Sequence, residues 1–171
     1  MIENLERAYI AVPLPPEMYL SWTVGIMRMT ERGRFPEMRR SDNLPHMTIY
    51  HLGEVSMGEL ARAERVVLEN SDEIINSKLR VIGLSIIGAK QNQALAFTVE
   101  CTKELNKFRK VLEKYLPKYS ERNYPLLPHY TVTELRSRRS IERARKMVLE
   151  SLPKRDLSEA TTIKQVLVYH S

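Results

Sequence analysis

One six-residue pattern occurs twice in the chain, as Leu44-Pro45-His46-Met47-Thr48-Ile49 and as Leu127-Pro128-His129-Tyr130-Thr131-Val132. Side chains two apart on a strand leave from the same face, so His46 can act with Thr48 on one ligand, and His129 with Thr131. Imidazole has an unperturbed pKa near ~6.5, so of two such rings one can accept a proton while the other donates. Threonine hydroxyls can donate hydrogen bonds to non-bridging phosphate oxygens. Together the four groups suit cleavage of a phosphodiester without metal. One His activates water, the other protonates the departing oxygen, and the hydroxyls with nearby cations stabilise the charged intermediate state. A 2′,3′-cyclic phosphate suits this chemistry especially, because ring strain helps to expel the leaving oxygen. A single His on a half-buried strand is usually a satisfied structural residue, and it is the repeated context that favours a functional pair. Two His without supporting Cys, a His-x-x-x-His pair or a carboxylate at ligand spacing make a poor metal site, so neither metal nor cofactor is expected.

The elements that must position these groups can be read along the chain. Residues 6–13 read as a strand closed by Pro13, and Pro15-Pro16 lead into a helical segment over 17–30 that stops at Gly33. A strand over 44–52 ends at Gly53, and Ser56 with Glu59 has the spacing of a capping box for a helix reaching about residue 76. Strands over 79–89 and 94–101 form a hairpin about the polar turn 90–93, followed by an apolar helical stripe from Leu105 to Leu116 that Pro117 ends. A strand over 127–135, a helix over 140–152 and a strand over 163–169 complete the order. The alternation gives an α/β (α+β) fold, and no linker-like stretch divides residues 1–171, so one domain is expected. If the 83-residue separation of the two histidines reflects a duplication, two similar lobes would face each other across a cleft around a pseudo-twofold axis.

Strict alternation over 44–52 sets His46, Thr48 and Tyr50 on one face and Met47, Ile49 and His51 on the other. Tyr50, and by the same argument Thr133 after Thr131, are therefore secondary cleft candidates, whereas His51 is expected to face away. Arg136, together with Arg138 and Arg139, is a candidate for phosphates beyond the scissile one.

Composition narrows the class. The 171 residues are 43% apolar, with only 6 Gly and 9 Pro, which excludes collagen-like, mucin-like and globally disordered chains. The longest uncharged apolar stretch, near residues 14–27, is broken by Pro15, Pro16 and Glu17 and is too short to span a bilayer. No positively charged flank leads into a long apolar core at the N-terminus, so a cytoplasmic protein is expected. Cys101 is the only cysteine, which excludes an internal disulfide framework and leads to the expectation of a core position. The net charge of +6 is uneven: residues 102–155 carry 15 basic and 6 acidic side chains, and the rest of the chain is net negative. Such asymmetry suits an anionic partner such as nucleic acid, or else a solvated face on two Lys/Arg-rich helices.

The paired His-x-Thr-hydrophobic motifs resemble those of the two-histidine (2H) phosphoesterase superfamily, and their surroundings are similar to its LigT-like branch. The supporting stretches are Ala8-Tyr9-Ile10-Ala11-Val12-Pro13-Leu14-Pro15, the run from His46 through Leu52-Gly53-Glu54-Val55, and the terminal Val166-Leu167-Val168-Tyr169-His170-Ser171. The resemblance implies a bilobal fold with a central cleft, His46 and His129 as catalytic histidines and Thr48 and Thr131 as phosphate-binding threonines. It also implies metal-independent 2′,3′-cyclic phosphodiesterase chemistry on RNA ends or small cyclic nucleotides, with a 2′-phosphate product; separately, a monomer is expected. Some members cleave 2′,5′ or cyclic-oligonucleotide linkages instead. LigT-like proteins often carry a basic residue soon after each motif, whereas Tyr50 follows the first motif here and Thr133-Glu134-Leu135 the second. That departure keeps a non-catalytic nucleotide- or RNA-binding module as a rival reading.

Overall fold

The computed structural model describes residues 5–16, 18, 45–88, 93–122, 127–135, 138–151 and 160–170. Its elements are, in order, β1 (Glu6–Pro13), β2 (His46–Val55), α1 (Met57–Asn70), β3 (Lys78–Leu79), β4 (Val81–Ile87), β5 (Gln93–Val99), α2 (Lys103–Tyr115), β6 (His129–Leu135), α3 (Arg138–Ser151), β7 (Thr161–Thr162) and β8 (Leu167–His170). The helix expected over 17–30 and the turn over 90–93 lie almost wholly outside the described residues.

Two three-stranded antiparallel sheets carry the architecture, in the orders β2-β1-β8 and β4-β5-β6, with a short β3-β7 ladder beside them. Each sheet has one motif strand at its edge, β2 in the first and β6 in the second. The two motif strands contact each other, and the Tyr130 hydroxyl of β6 donates to the Pro13 carbonyl of β1 at 3.4 Å. The fold is bilobal, one sheet to each lobe.

Alternation explains which face each sheet buries. On β1, Ala8, Ile10 and Val12 point into the core. On β5, Leu95, Phe97 and Val99 do the same. Helices cover these faces: α1 and α2 pack on β2, and α3 packs on β4, β5 and β6. The buried stripes are Leu60, Ala63, Val66 and Val67 on α1, and Leu105, Phe108 and Leu112 on α2. At helical spacing these stripes need only one apolar face, so the Lys and Arg residues fall on the outside except Arg109, which is largely buried and pairs with Glu113 at 3.1 Å.

The capping box is present: the Ser56 side chain accepts from the Glu59 N–H, and the Glu59 carboxylate accepts from the Ser56 N–H at 2.9 Å. Glu59 also pairs with Lys118. The helix it starts ends at Asn70, sooner than expected; a 3₁₀ turn over Ser71–Glu73 follows, and Ile74 reaches the core from outside the helix. Gly53 does not end β2, which continues to Val55 through a positive φ of 71° that glycine accepts without strain. Cys101 is exposed, because β5 stops at Val99 and Thr102 already caps α2. No helix among the described residues is long and apolar enough to cross a membrane.

Candidate active site

Both motif strands enter their sheets in the same way. In each copy the proline carbonyl accepts a backbone hydrogen bond from the central strand's end: Leu14 N–H to Pro45 at 2.8 Å, and Val99 N–H to Pro128 at 2.8 Å. The proline offers no donor of its own, which suits the first position of an edge strand. The next rungs correspond one to one: His46 lies opposite Pro13 and Thr48 opposite Ala11, while His129 lies opposite Thr98 and Thr131 opposite Ala96. Both ladders then slip by one residue at the same point, leaving Ile49 extra in β2 and Val132 extra in β6. A β-bulge immediately after each Thr thus repeats the duplication in the backbone.

The slip corrects the reading of Tyr50. Beyond Ile49 the alternation changes phase, so Tyr50 pairs with core-facing Ile10 and is fully buried. Its hydroxyl donates to the Leu116 carbonyl at 2.9 Å, and its pKa is pushed up to about 12 by burial, with Glu113 adding to the effect and Arg109 opposing it. Tyr50 holds β2 to the end of α2 and does not line the cleft.

The same slip brings His51 to the other face. His51 pairs directly with Tyr9, so the two side chains leave the same side of the sheet. Tyr9 in turn pairs with Tyr169 of β8. The rings of Tyr9, His46 and Tyr169 are in mutual contact, with centroids 4.8 Å apart for Tyr9 and His46, 5.2 Å for His46 and Tyr169, and 5.3 Å for the two tyrosines. Burial raises the pKa of both tyrosines, so they stay neutral. One face of the first sheet therefore carries Tyr9, Tyr169, His46, Thr48 and His51. His51 is exposed, and partial desolvation, then the charges of Arg7, His129 and His46, hold its pKa below the usual imidazole value. His46 and His129 come from different sheets, and the contact between β2 and β6 brings their two motif strands together.

His129 is half-buried, and its Nδ1 lies 2.6 Å from the Leu127 carbonyl. A carbonyl only accepts, so Nδ1 carries the hydrogen and Nε2 of the neutral ring keeps its lone pair. Thr48 is half-buried and Thr131 exposed. The backbone of Thr133 pairs with Leu95, while its side chain and all of Arg136 lie outside the described residues.

Sequence reasoning missed Tyr9, Tyr169 and His51. Tyr9 and Tyr169 stand in stretches quoted for their family likeness, but only the β1-β8 pairing brings residues 160 positions apart together. His51 lies on the site face against strict alternation, and nothing in the residue types marks the bulge at Ile49 that puts it there.

The sequence matches no protein-family model and no curated protein. Solved structures share the fold. Escherichia coli LigT complexed with 3′-AMP superposes with a TM-score of 0.63 at 18% identity, over 97% of this chain and 87% of that one. The MHV ns2 PDE domain gives 0.63 at 11% identity, over 97% and 99%. Kluyveromyces marxianus Usb1 with uridine monophosphate gives 0.52 at 13% identity, over 97% of each chain. In fold as in its paired motifs, the chain resembles the two-histidine phosphoesterases of the LigT-like kind.

Proposed function

We propose that this protein is a metal-independent phosphodiesterase that opens 2′,3′-cyclic phosphates on RNA ends or small nucleotides, with residues 1–171 working as one monomeric domain. The observation that carries the reading is the matched placement of His46 and His129 on two contacting edge strands, with the same register, the same proline contact and the same bulge. The fold shared with LigT and Usb1, whose structures hold 3′-AMP and uridine monophosphate, supports a nucleotide as ligand.

In this reading the phosphate lies between the two His-x-Thr pairs, with the Thr48 and Thr131 hydroxyls donating to its non-bridging oxygens. His129 serves as base. Its Nε2 takes a proton from water, and the Leu127 carbonyl on Nδ1–H stabilises the positive charge that develops. The water oxygen bonds to phosphorus, one ester P–O bond breaks, and His46 gives its proton to the leaving ribose oxygen. The product is a phosphomonoester beside a free hydroxyl. Contact with Tyr9 and Tyr169 keeps the His46 ring oriented for that transfer.

The basic excess of residues 102–155 is not needed for this step. Within the described residues α2 and α3 cover the faces of the sheets opposite the site, and the exposure of Lys103, Lys107, Lys110, Lys114, Arg143 and Lys146 favours a solvated outer surface.

The test is product analysis with EDTA present, on 2′,3′-cyclic mononucleotides, RNA with a cyclic end, 2′,5′-linked oligonucleotides and cyclic oligonucleotides. Turnover of the first two supports the proposal. Turnover confined to the last two moves the protein to the signalling-oligonucleotide branch of the same chemistry, and binding without turnover makes it a binding module.

A further inference from the structure

The mechanism leaves one imidazole of the cleft unused. Along the site face of β1, Pro13, Ala11 and Tyr9 lie opposite His46, Thr48 and His51 in turn, so His51 occupies the rung next after Thr48. Successive rungs on one face are about 7 Å apart. His51 therefore stands beside a phosphate held by Thr48, displaced along the sheet by roughly one side-chain step. Arg7 follows on the same face of β1, opposite Glu54. Among the charged groups that influence His51, Arg7, His129 and His46 are all basic. Glu54, paired with Arg7 on the same face, offsets that guanidinium, so the group left to meet a second anion next to Thr48 is the His51 imidazole.

We infer that His51 binds a second phosphate group of the substrate, the one flanking the scissile linkage, so that the preferred substrate is an oligonucleotide end and not a cyclic mononucleotide. The inference rests on the phosphodiesterase reading above and names the substrate class for the same site. The imidazole N–H donates to a non-bridging oxygen of the flanking phosphodiester. A cyclic mononucleotide has no such phosphate and forgoes the contact.

The experiment compares kcat/KM for uridine 2′,3′-cyclic phosphate with that for a uridylyl dinucleotide bearing the same cyclic end, in wild type, His51→Phe and His51→Lys. A hydrogen bond to a charged group gives a preference of about tenfold or more. The expected result is that wild type favours the dinucleotide by this factor, that His51→Phe brings the ratio close to one mainly through KM, and that His51→Lys restores it. A wild type without preference, a His51→Phe variant with the full preference, or a loss shared equally by both substrates overturns the assignment of His51. Turnover of neither substrate by wild type overturns the phosphodiesterase reading instead, and the two failures are thereby told apart.

Discussion

The imidazole of His46 lies against the ring of Tyr9, with 4.8 Å between centroids and 25° between planes. The contact joins the edge strand of the first sheet to its central strand and fixes the orientation of a group proposed to transfer a proton. On the proposed mechanism Tyr9 is a positioning residue. Replacing it by Ala should lower kcat about tenfold while KM changes little, because a misaligned proton donor weakens the transition state more than substrate binding. Tyr9→Phe keeps the ring and should recover most of the loss. Steady-state kinetics on a cyclic-ended substrate check this, and equal activity in Tyr9→Ala and wild type would remove the contact from the mechanism.

Thr48 and Thr131 occupy matching rungs, opposite Ala11 and Ala96. Thr→Val at either position preserves shape and removes the hydroxyl. The loss in kcat should be on the order of 10²-fold for each, as for one donor of an oxyanion site. Urea unfolding should show stability nearly unchanged for Thr131→Val, whose side chain is exposed in the parent. An unchanged rate in both variants would mean that the hydroxyls do not touch the phosphate.

Tyr50 belongs to the core. Tyr50→Phe strips the donor from the buried Leu116 carbonyl and should cost about 1–2 kcal/mol in urea unfolding, with kcat nearly intact. Its pKa is raised from 10.0 to about 12, so the neutral form is the one the fold favours. The stabilisation is fully present below pH 10 and is lost as pH rises through 12. Wild type should therefore lose stability in that window more steeply than Tyr50→Phe.

Glu59 gives the opposite sign at the acid end. The hydrogen bond from Lys118, then that from the Ser56 N–H, hold its carboxyl near 2, against an ordinary 4.5. Its contribution is present above pH 4.5 and fades as pH falls through 2. Glu59→Gln should cost about 1 kcal/mol at neutral pH, because the capping box is weakened and the partly exposed pair to Lys118 adds little. The difference between variant and wild type should shrink toward pH 2, as followed by helical circular dichroism during urea unfolding.

The bilobal fold was legible because its cues are local and repeated. Pro45 and Pro128 mark the starts of two strands, Ser56 and Glu59 mark a helix start, and the stripe from Leu105 to Leu112 is one face of a helix. Duplication was legible in the repeated hexapeptide, and the matching proline contacts and bulges now give it a backbone basis. What could not be read was phase. Strict period two holds from His46 to Thr48 and fails at Ile49, where one extra residue sends Tyr50 into the core and His51 onto the site face. Nor could the aromatic support of His46 be read, since a ladder between Tyr9 and Tyr169 is decided by tertiary pairing and not by neighbours in the chain.

The central claim is that His46 and His129 divide the proton transfers of one phosphodiester cleavage. It is tested most directly by measuring kcat on a 2′,3′-cyclic-ended oligonucleotide, with EDTA, for wild type, His46→Ala, His129→Ala and the double variant across a pH series. The account predicts a bell-shaped profile for wild type and a loss on the order of 10² to 10⁴ in each single variant. Each single variant should also lose one limb of the bell, the acid limb in His129→Ala and the alkaline limb in His46→Ala. Activity retained in the double variant would contradict it.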